Sequence, residues 1–274
     1  MGVILDTITA YKDSLTGGAF EALTVASGES SSIRWLGDGT RVHLLEAWGA
    51  NNATKCEFSI RSPLLHDNTR GIRFEHMFNP TLNVADGNPQ VYLPPSFRQE
   101  YDPTDTLIIE ANGTASDDVT FTQCVRYDSP NIQGGRFITA EECDARNRNL
   151  VGIQITPSAA GSTSTYGTAE AIDTDDNRLK ANTDYALMGI TTDLPFTTLG
   201  IFGPDTANFT IPCPGHWDTS KAGGWFYEMA KRWREPLIPV INSNNKGVTF
   251  AKVADAGGGS NPKVTLLFVE LSRI

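Results

Sequence analysis

The feature that most constrains this chain is a succession of short alternating segments that runs through it twice in the same order. In the first half TRVHLLEAW (40–48) is followed by a polar turn, CEFSIRSP (56–63), a short amphipathic segment, a proline, LIIEANG (107–113) and DVTFTQCVRYD (118–128). In the second half TDYALMGIT (183–191) is followed by a polar turn, LGIFGPD (199–205), a helical stretch, a proline, LIPVINS (237–243) and KVTLLFVELS (263–272). Short runs rich in Val, Ile, Thr and aromatics, bounded by Gly, Pro, Asn and Asp, are strands. Eight or so per half, evenly spaced, predict two sandwiches or jelly rolls in tandem.

Thr40 falls where Thr183 falls, Pro63 matches Pro204, Leu107 matches Leu237 and Val119 matches Val264. The offset is about 141 to 145 residues at the first strands and the last, and 130 between Leu107 and Leu237. That dip is read as a Pro-rich insertion, Pro80 to Pro103, in the first half and an extra hairpin, Gly247 to Gly259, in the second. The insertion reads as a long loop with at most an edge strand over Gln90–Leu93. Asp128–Gly135 (DSPNIQGG) is the best linker. The expected organisation is an N-terminal helical arm over 1–20, a first jelly roll over 21–130 and a second over 136–274.

The arm is inferred from Ile4, Ile8, Tyr11 and Leu15, which sit at helical spacing before the Gly17-Gly18 break. A helix this short holds only when docked, which suggests an assembly arm. Asp6, Thr7 and Thr9 interrupt the apolar run, so it does not read as a signal peptide. No stretch approaches the ~20 apolar residues of a membrane span. Ser220–Arg234 is the clearest helix, with Trp225, Phe226, Met229 and Trp233 on one face, ended by Pro236.

The 274 residues carry a formal charge of −10, which repels phosphate and argues against direct nucleic-acid binding. Lys231, Arg232 and Arg234 form the densest basic cluster and read as a solvated helix face. Cys56, Cys124, Cys143 and Cys213 are scattered, without zinc spacing, and read as buried reduced thiols. His43, His66, His76 and His216 do not stand at ligand spacing to one another. There is no Walker loop, GxGxxG, HExxH or GxSxG. Asp173, Asp175, Asn177 and Asp184 match part of a calcium loop, but Arg178 stands where its glycine should be, so they read as an acidic turn. Glu141, Glu142 and Asp144 read as solvated loop carboxylates. Trp217, Trp225 and Trp233 with Phe226 and Tyr227 could stack on sugars, but helix-spaced aromatics ordinarily pack on a sheet. The residues supply no catalytic, metal or cofactor site.

With its tandem modules, ALTVASGESSSIRW near the start, LKANTDYALMGI with LGIFGPD, and PLIPVINSNNKG, the chain resembles the double jelly-roll major capsid proteins of tailless icosahedral double-stranded DNA viruses of bacteria or archaea. The resemblance implies a homotrimer forming a pseudo-hexagonal capsomer, made in the host cytoplasm and built into the virion capsid. It implies other capsid proteins, such as a vertex penton, as neighbours, and in many members an internal membrane near an N-terminal helix. Two other classes stay open: a carbohydrate-binding or hydrolytic β-sandwich protein, and a viral spike or decoration protein.

Overall fold

In a computed structural model the chain is mostly β, with four antiparallel sheets in two sandwich-like pairs and a few short helices. The structure describes residues 2–52, 56–65, 69, 71–75, 99–175, 178–194, 196–215, 224–257, 259 and 261–272. The proposed edge strand Gln90–Leu93 lies outside them, as do His66, His76, His216 and Trp217.

The first sandwich is built from β1 (Gly2–Lys12), β2 (Glu21–Ala22), β3 (Thr24–Val25), β4 (Arg41–Asn51), β5 (Glu57–Arg61), β6 (Ile72–Glu75), β7 (Gln99–Tyr101), β8 (Ile108–Asn112) and β9 (Val119–Ser129). One sheet runs β3-β1-β9-β4-β7 and the other β2-β8-β5-β6. β2 and β3 are two pieces of one bent segment, each joined to a different sheet. The second sandwich comprises β10 (Phe137–Ile138), helix α1 (Ala140–Arg146), β11 (Asn147–Ile155), β12 (Glu170–Ala171), β13 (Asp184–Thr192), β14 (Thr198–Phe202), β15 (Ile211–Pro214), helix α2 (Trp225–Trp233), β16 (Ile238–Asn242), β17 (Phe250–Ala254) and β18 (Val264–Leu271). Its sheets run β10-β16-β13-β18-β11 and β12-β17-β14-β15.

The two halves share one strand order. Taking the second sandwich's eight main strands in sequence, first pairs with last, last with third and third with sixth. In the other sheet second pairs with seventh, seventh with fourth and fourth with fifth. The first sandwich obeys the same rule, which is the jelly-roll connection. Even an irregularity repeats. β4 has a bulge between Leu44 and Glu46, and β13 has one between Leu187 and Gly189.

This topology corrects the sequence alignment of Leu107 with Leu237. The counterpart of β8 is β17, not β16, and β16 is the counterpart of β7. From Arg41 to Asp184, Glu57 to Thr198, Ile108 to Phe250 and Val119 to Val264 the offset then stays at 141 to 145 residues. The expected Gly247–Gly259 hairpin is not a hairpin. β17 pairs with β12 and β14, and the chain then crosses to β18 in the opposite sheet. The amphipathic segment after residue 70 is strand β6, paired with β5.

The N-terminal helix is also corrected. Residues 2–12 form β1, paired with β9 along its whole length and with β3 at its end. Five β-branched residues (Val3, Ile4, Thr7, Ile8 and Thr9) favour the pleated form over a helix. Ile4 and Ile8 are buried in the first core, Leu15 is buried in the turn beyond the strand, and Tyr11 is half-buried. The four residues share no helical stripe.

The first core contains a stack of Phe58 on Phe121, 4.8 Å between centroids. Gly49 in β4 permits it, since a Cβ there would lie 2.9 Å from both the Phe58 ring and the Thr120 carbonyl oxygen. Because β1 lies between β3 and β9, deleting residues 1–12 should prevent the first sandwich from folding. Circular dichroism and limited proteolysis of the truncated chain check this, and a cooperatively folded product would contradict the role given to β1.

Candidate functional site

The most elaborate polar arrangement lies between the sandwiches. The sheet β3-β1-β9-β4-β7 has its own core on one face and the second sandwich on the other. All eleven residues of β9 are buried. In β1, Ile4, Ile8 and Ala10 belong to the first core, while Leu5 belongs to the second cluster. The β4 bulge changes the phase of alternation, turning Leu45, Glu46 and Trp48 towards the second sandwich.

Trp48 is fully buried, edge-on to Trp225 of α2 at 5.5 Å, and its Nε1 donates to the Thr197 carbonyl at 3.0 Å. Glu46 pairs with Arg232 and accepts a long hydrogen bond of 3.5 Å from Trp233 Nε1. Arg126 of β9 pairs with Asp128 at 2.6 Å and with Glu235 beyond α2. Thr120 Oγ1 donates to the Ser164 carbonyl at 2.6 Å, and Thr9 Oγ1 lies 2.9 Å from Tyr166 Oη and 3.2 Å from Thr122 Oγ1.

Beside this ladder two acids and two cations meet. Asp6 lies 3.4 Å from Arg34, and Glu29 lies 3.4 Å from Lys252 while accepting from the Thr9 N–H at 2.6 Å. The Lys252 ammonium sits over the Tyr166 ring at 3.9 Å, and Arg34 over Phe209 at 4.9 Å. Burial pushes Asp6 up to about 6, against the pull of Arg34. It pushes Glu29 up to about 7, against Lys252 and the Thr9 amide. These carboxyls face a protein interior, and the cluster joins two modules.

The sequence candidates fall elsewhere. Trp225, Phe226, Met229 and Trp233 are core residues, and Tyr227 is half-buried with its hydroxyl on Asp144 at 2.9 Å. Glu141, Glu142 and Asp144 are not on a loop. They belong to α1, whose N-cap Thr139 accepts from the Glu142 N–H at 3.1 Å. His43 is buried in β4. All four cysteines are free and buried. Of the calcium-like set, Asn177 lies outside the described residues, and among those described no cluster of three metal-binding side chains occurs. A shallow pocket of about 210 Å³ is lined by Cys143, Asn147, Leu150, Met188 and Val269, among others. The joint was missed from sequence, although its signal is present: a lone charge inside an apolar strand, as with Asp6 in ILDTIT, Glu46 in HLLEAW and Arg126 in QCVRY.

No protein-family model matches the chain, and no curated protein matches it. Among solved structures it has a weak similarity to the crystal structure of the STIV MCP, a major capsid protein. The identity is 10% over 99% of this chain and 97% of that one, with a TM-score of 0.23. A similarity at that score carries no argument, and the fold described above rests on the strand order of this chain.

The raised acids give the joint a pH dependence of known sign. Asp6 and Glu29 have ordinary values of 3.8 and 4.5, so between about pH 4 and 7 the folded state holds protons that the unfolded state has lost. Their contribution to stability is complete below that window and declines as pH rises through it. Glu29→Gln should flatten the decline, measured as the urea midpoint between pH 4.5 and 8. An unchanged slope would remove Glu29 as a source.

Proposed function

We propose that this chain is a structural shell protein, a viral major capsid protein that self-associates as trimers in which six sandwiches form a pseudo-hexagonal unit. The observation that carries the reading is the tandem of two sandwiches with one strand order, held together across a sheet whose central strand β9 is buried throughout. Such a module pair supplies what a shell subunit needs: rigid walls and broad lateral surfaces. The virion capsid is the corresponding location.

Partners follow from the same reading. They are further copies of this chain, other shell proteins such as one at the vertices, and a membrane beneath the shell where the virus has one. Nucleic acid is not among them. At least eleven of the 22 Lys and Arg residues are already engaged with carboxylates, and the net charge is −10, so phosphate meets a repulsive surface. A sugar-binding or hydrolytic sandwich needs exposed aromatics or an accessible acid pair. Of the aromatics that could form such a platform, Trp225 and Trp233 are core, Trp35 is exposed, and the buried acids Asp6 and Glu29 lie in the joint.

The test is assembly of the full chain. Mass photometry and negative-stain electron microscopy should reveal trimers that build sheets or closed shells as concentration rises. A chain that stays monomeric at tens of micromolar overturns the reading.

A further inference from the structure

The internal repeat identifies a sheet face that is covered in one sandwich and bare in the other. In the first, the pairs Thr7–Cys124, Thr9–Thr122 and Tyr11–Thr120 lie side by side on β1 and β9. All except Tyr11 are at most 1% exposed, sealed by the second sandwich. The strand correspondence places Leu150–Val269, Gly152–Leu267 and Gln154–Thr265 of β11 and β18 at the same positions. Among the described residues nothing seals them. Leu150 is 71% exposed, Gln154 is exposed, and Leu267, Val269 and Thr265 are half-buried. The bare copy is also the more apolar, with Leu150, Leu267 and Val269 where the covered copy has Thr7, Thr122 and Cys124. An exposed aliphatic ridge on a sheet costs solvation unless something covers it.

The cover used by the first sandwich is the outer face of β12-β17-β14-β15, with Tyr166, Lys252 and Phe250 on it. Its counterpart in the first sandwich is the outer face of β2-β8-β5-β6. There Ile108 stands in place of Phe250 and is 40% exposed, and Glu110 stands in place of Lys252. Phe20 stands in place of Tyr166, beneath a cation as Tyr166 is, with Arg73 4.8 Å from its ring centroid.

We infer that the β11–β18 face around Leu150, Leu267 and Val269 docks on the Phe20–Ile108 face of the first sandwich of a second copy of this chain, repeating between chains the joint made within one. Such a contact is heterologous: two different patches meet, each chain carries one of each, and copies join head to tail until a ring closes. The inference rests on the self-assembly proposed above and names the surfaces that carry it.

Two measurements test it. The double variant L150E/L267E should keep the wild-type circular dichroism spectrum and shift the mass-photometry assembly midpoint at least tenfold to higher concentration. Benzoylphenylalanine at position 150, irradiated in a mixture of light and heavy chains, should cross-link between chains to the peptide containing Phe20 or Ile108. If the wild type assembles and the double variant does so at the same concentration, the docking face is wrong and the shell reading stands. If the double variant misfolds, the cross-link decides, and an adduct elsewhere overturns the inference. A wild type that never self-associates removes both readings.

Discussion

The sheet β3-β1-β9-β4-β7 has a core on one face and a second sandwich on the other, so its central strands cannot alternate apolar with solvated residues as a two-layer sandwich ordinarily does. Much of the molecule follows from this. β9 is buried throughout and carries Thr, Gln, Cys and Arg on its polar positions, each obliged to find a partner inside the protein. Gln123 Oε1 accepts from the Tyr101 hydroxyl at 2.9 Å on one face; on the other Thr122 meets Thr9 of the same sheet, while Thr120 and Arg126 reach across the joint. The β4 bulge serves the same constraint, bringing Leu45 and Glu46 together onto the face that needs both.

The sequence carries the architecture well and the joint poorly. Alternation and turn residues are local, so most strands and the tandem arrangement are legible without coordinates. Besides the Gly247–Gly259 hairpin, three readings failed, each for a physical reason. Ile4, Ile8, Tyr11 and Leu15 mimic a helical stripe only because β1 is apolar on both faces, and its β-branched content was the better signal. β8 was matched to β16 because both are short apolar runs after a proline, and pairing partners are not a local property. Glu141 and Glu142 read as loop acids because α1 is only seven residues long and its single start signal is the Thr139 cap. The aromatic stripe of α2 was legible because helical spacing, strong apolarity and a terminating proline agree. The joint's partners lie as far as 223 residues apart, as Glu29 and Lys252 do, and no local pattern connects them.

The common strand order and the repeated bulge indicate that one module template was used twice, and the differences between the copies show what each was adapted to. Positions 7, 9, 120 and 122 of the first copy are threonines buried at a permanent internal contact, across which Thr9 meets Tyr166 and Thr120 donates to the Ser164 carbonyl. Their counterparts 150, 152, 265 and 267 are Leu, Gly, Thr and Leu on a face open to solvent in the single chain. Between β15 and β16 the second copy carries α2, whose Trp225, Arg232 and Trp233 reach the first copy. The joint is therefore asymmetric by construction, with one module donating a sheet face and the other a helix and a sheet.

Hydrophobic burial alone would leave two smooth sheet faces free to slide or rotate. Across the joint instead run Glu46 with Arg232, Arg126 with Glu235, and Glu29 with Lys252. Buried ion pairs of this kind contribute little net stability, because desolvation offsets most of their attraction. Their effect is on alternatives. A rotation that separated any pair would leave a charge buried without its partner, at a cost of about 3–5 kcal/mol, whereas the Trp48–Trp225 contact at the centre tolerates small shifts. Apolar contacts thus supply the adhesion and the ion pairs select one orientation among those adhesion would allow. A fixed angle between modules is what repeated assembly requires, since an angular error made within each chain would be multiplied by every copy added around a ring.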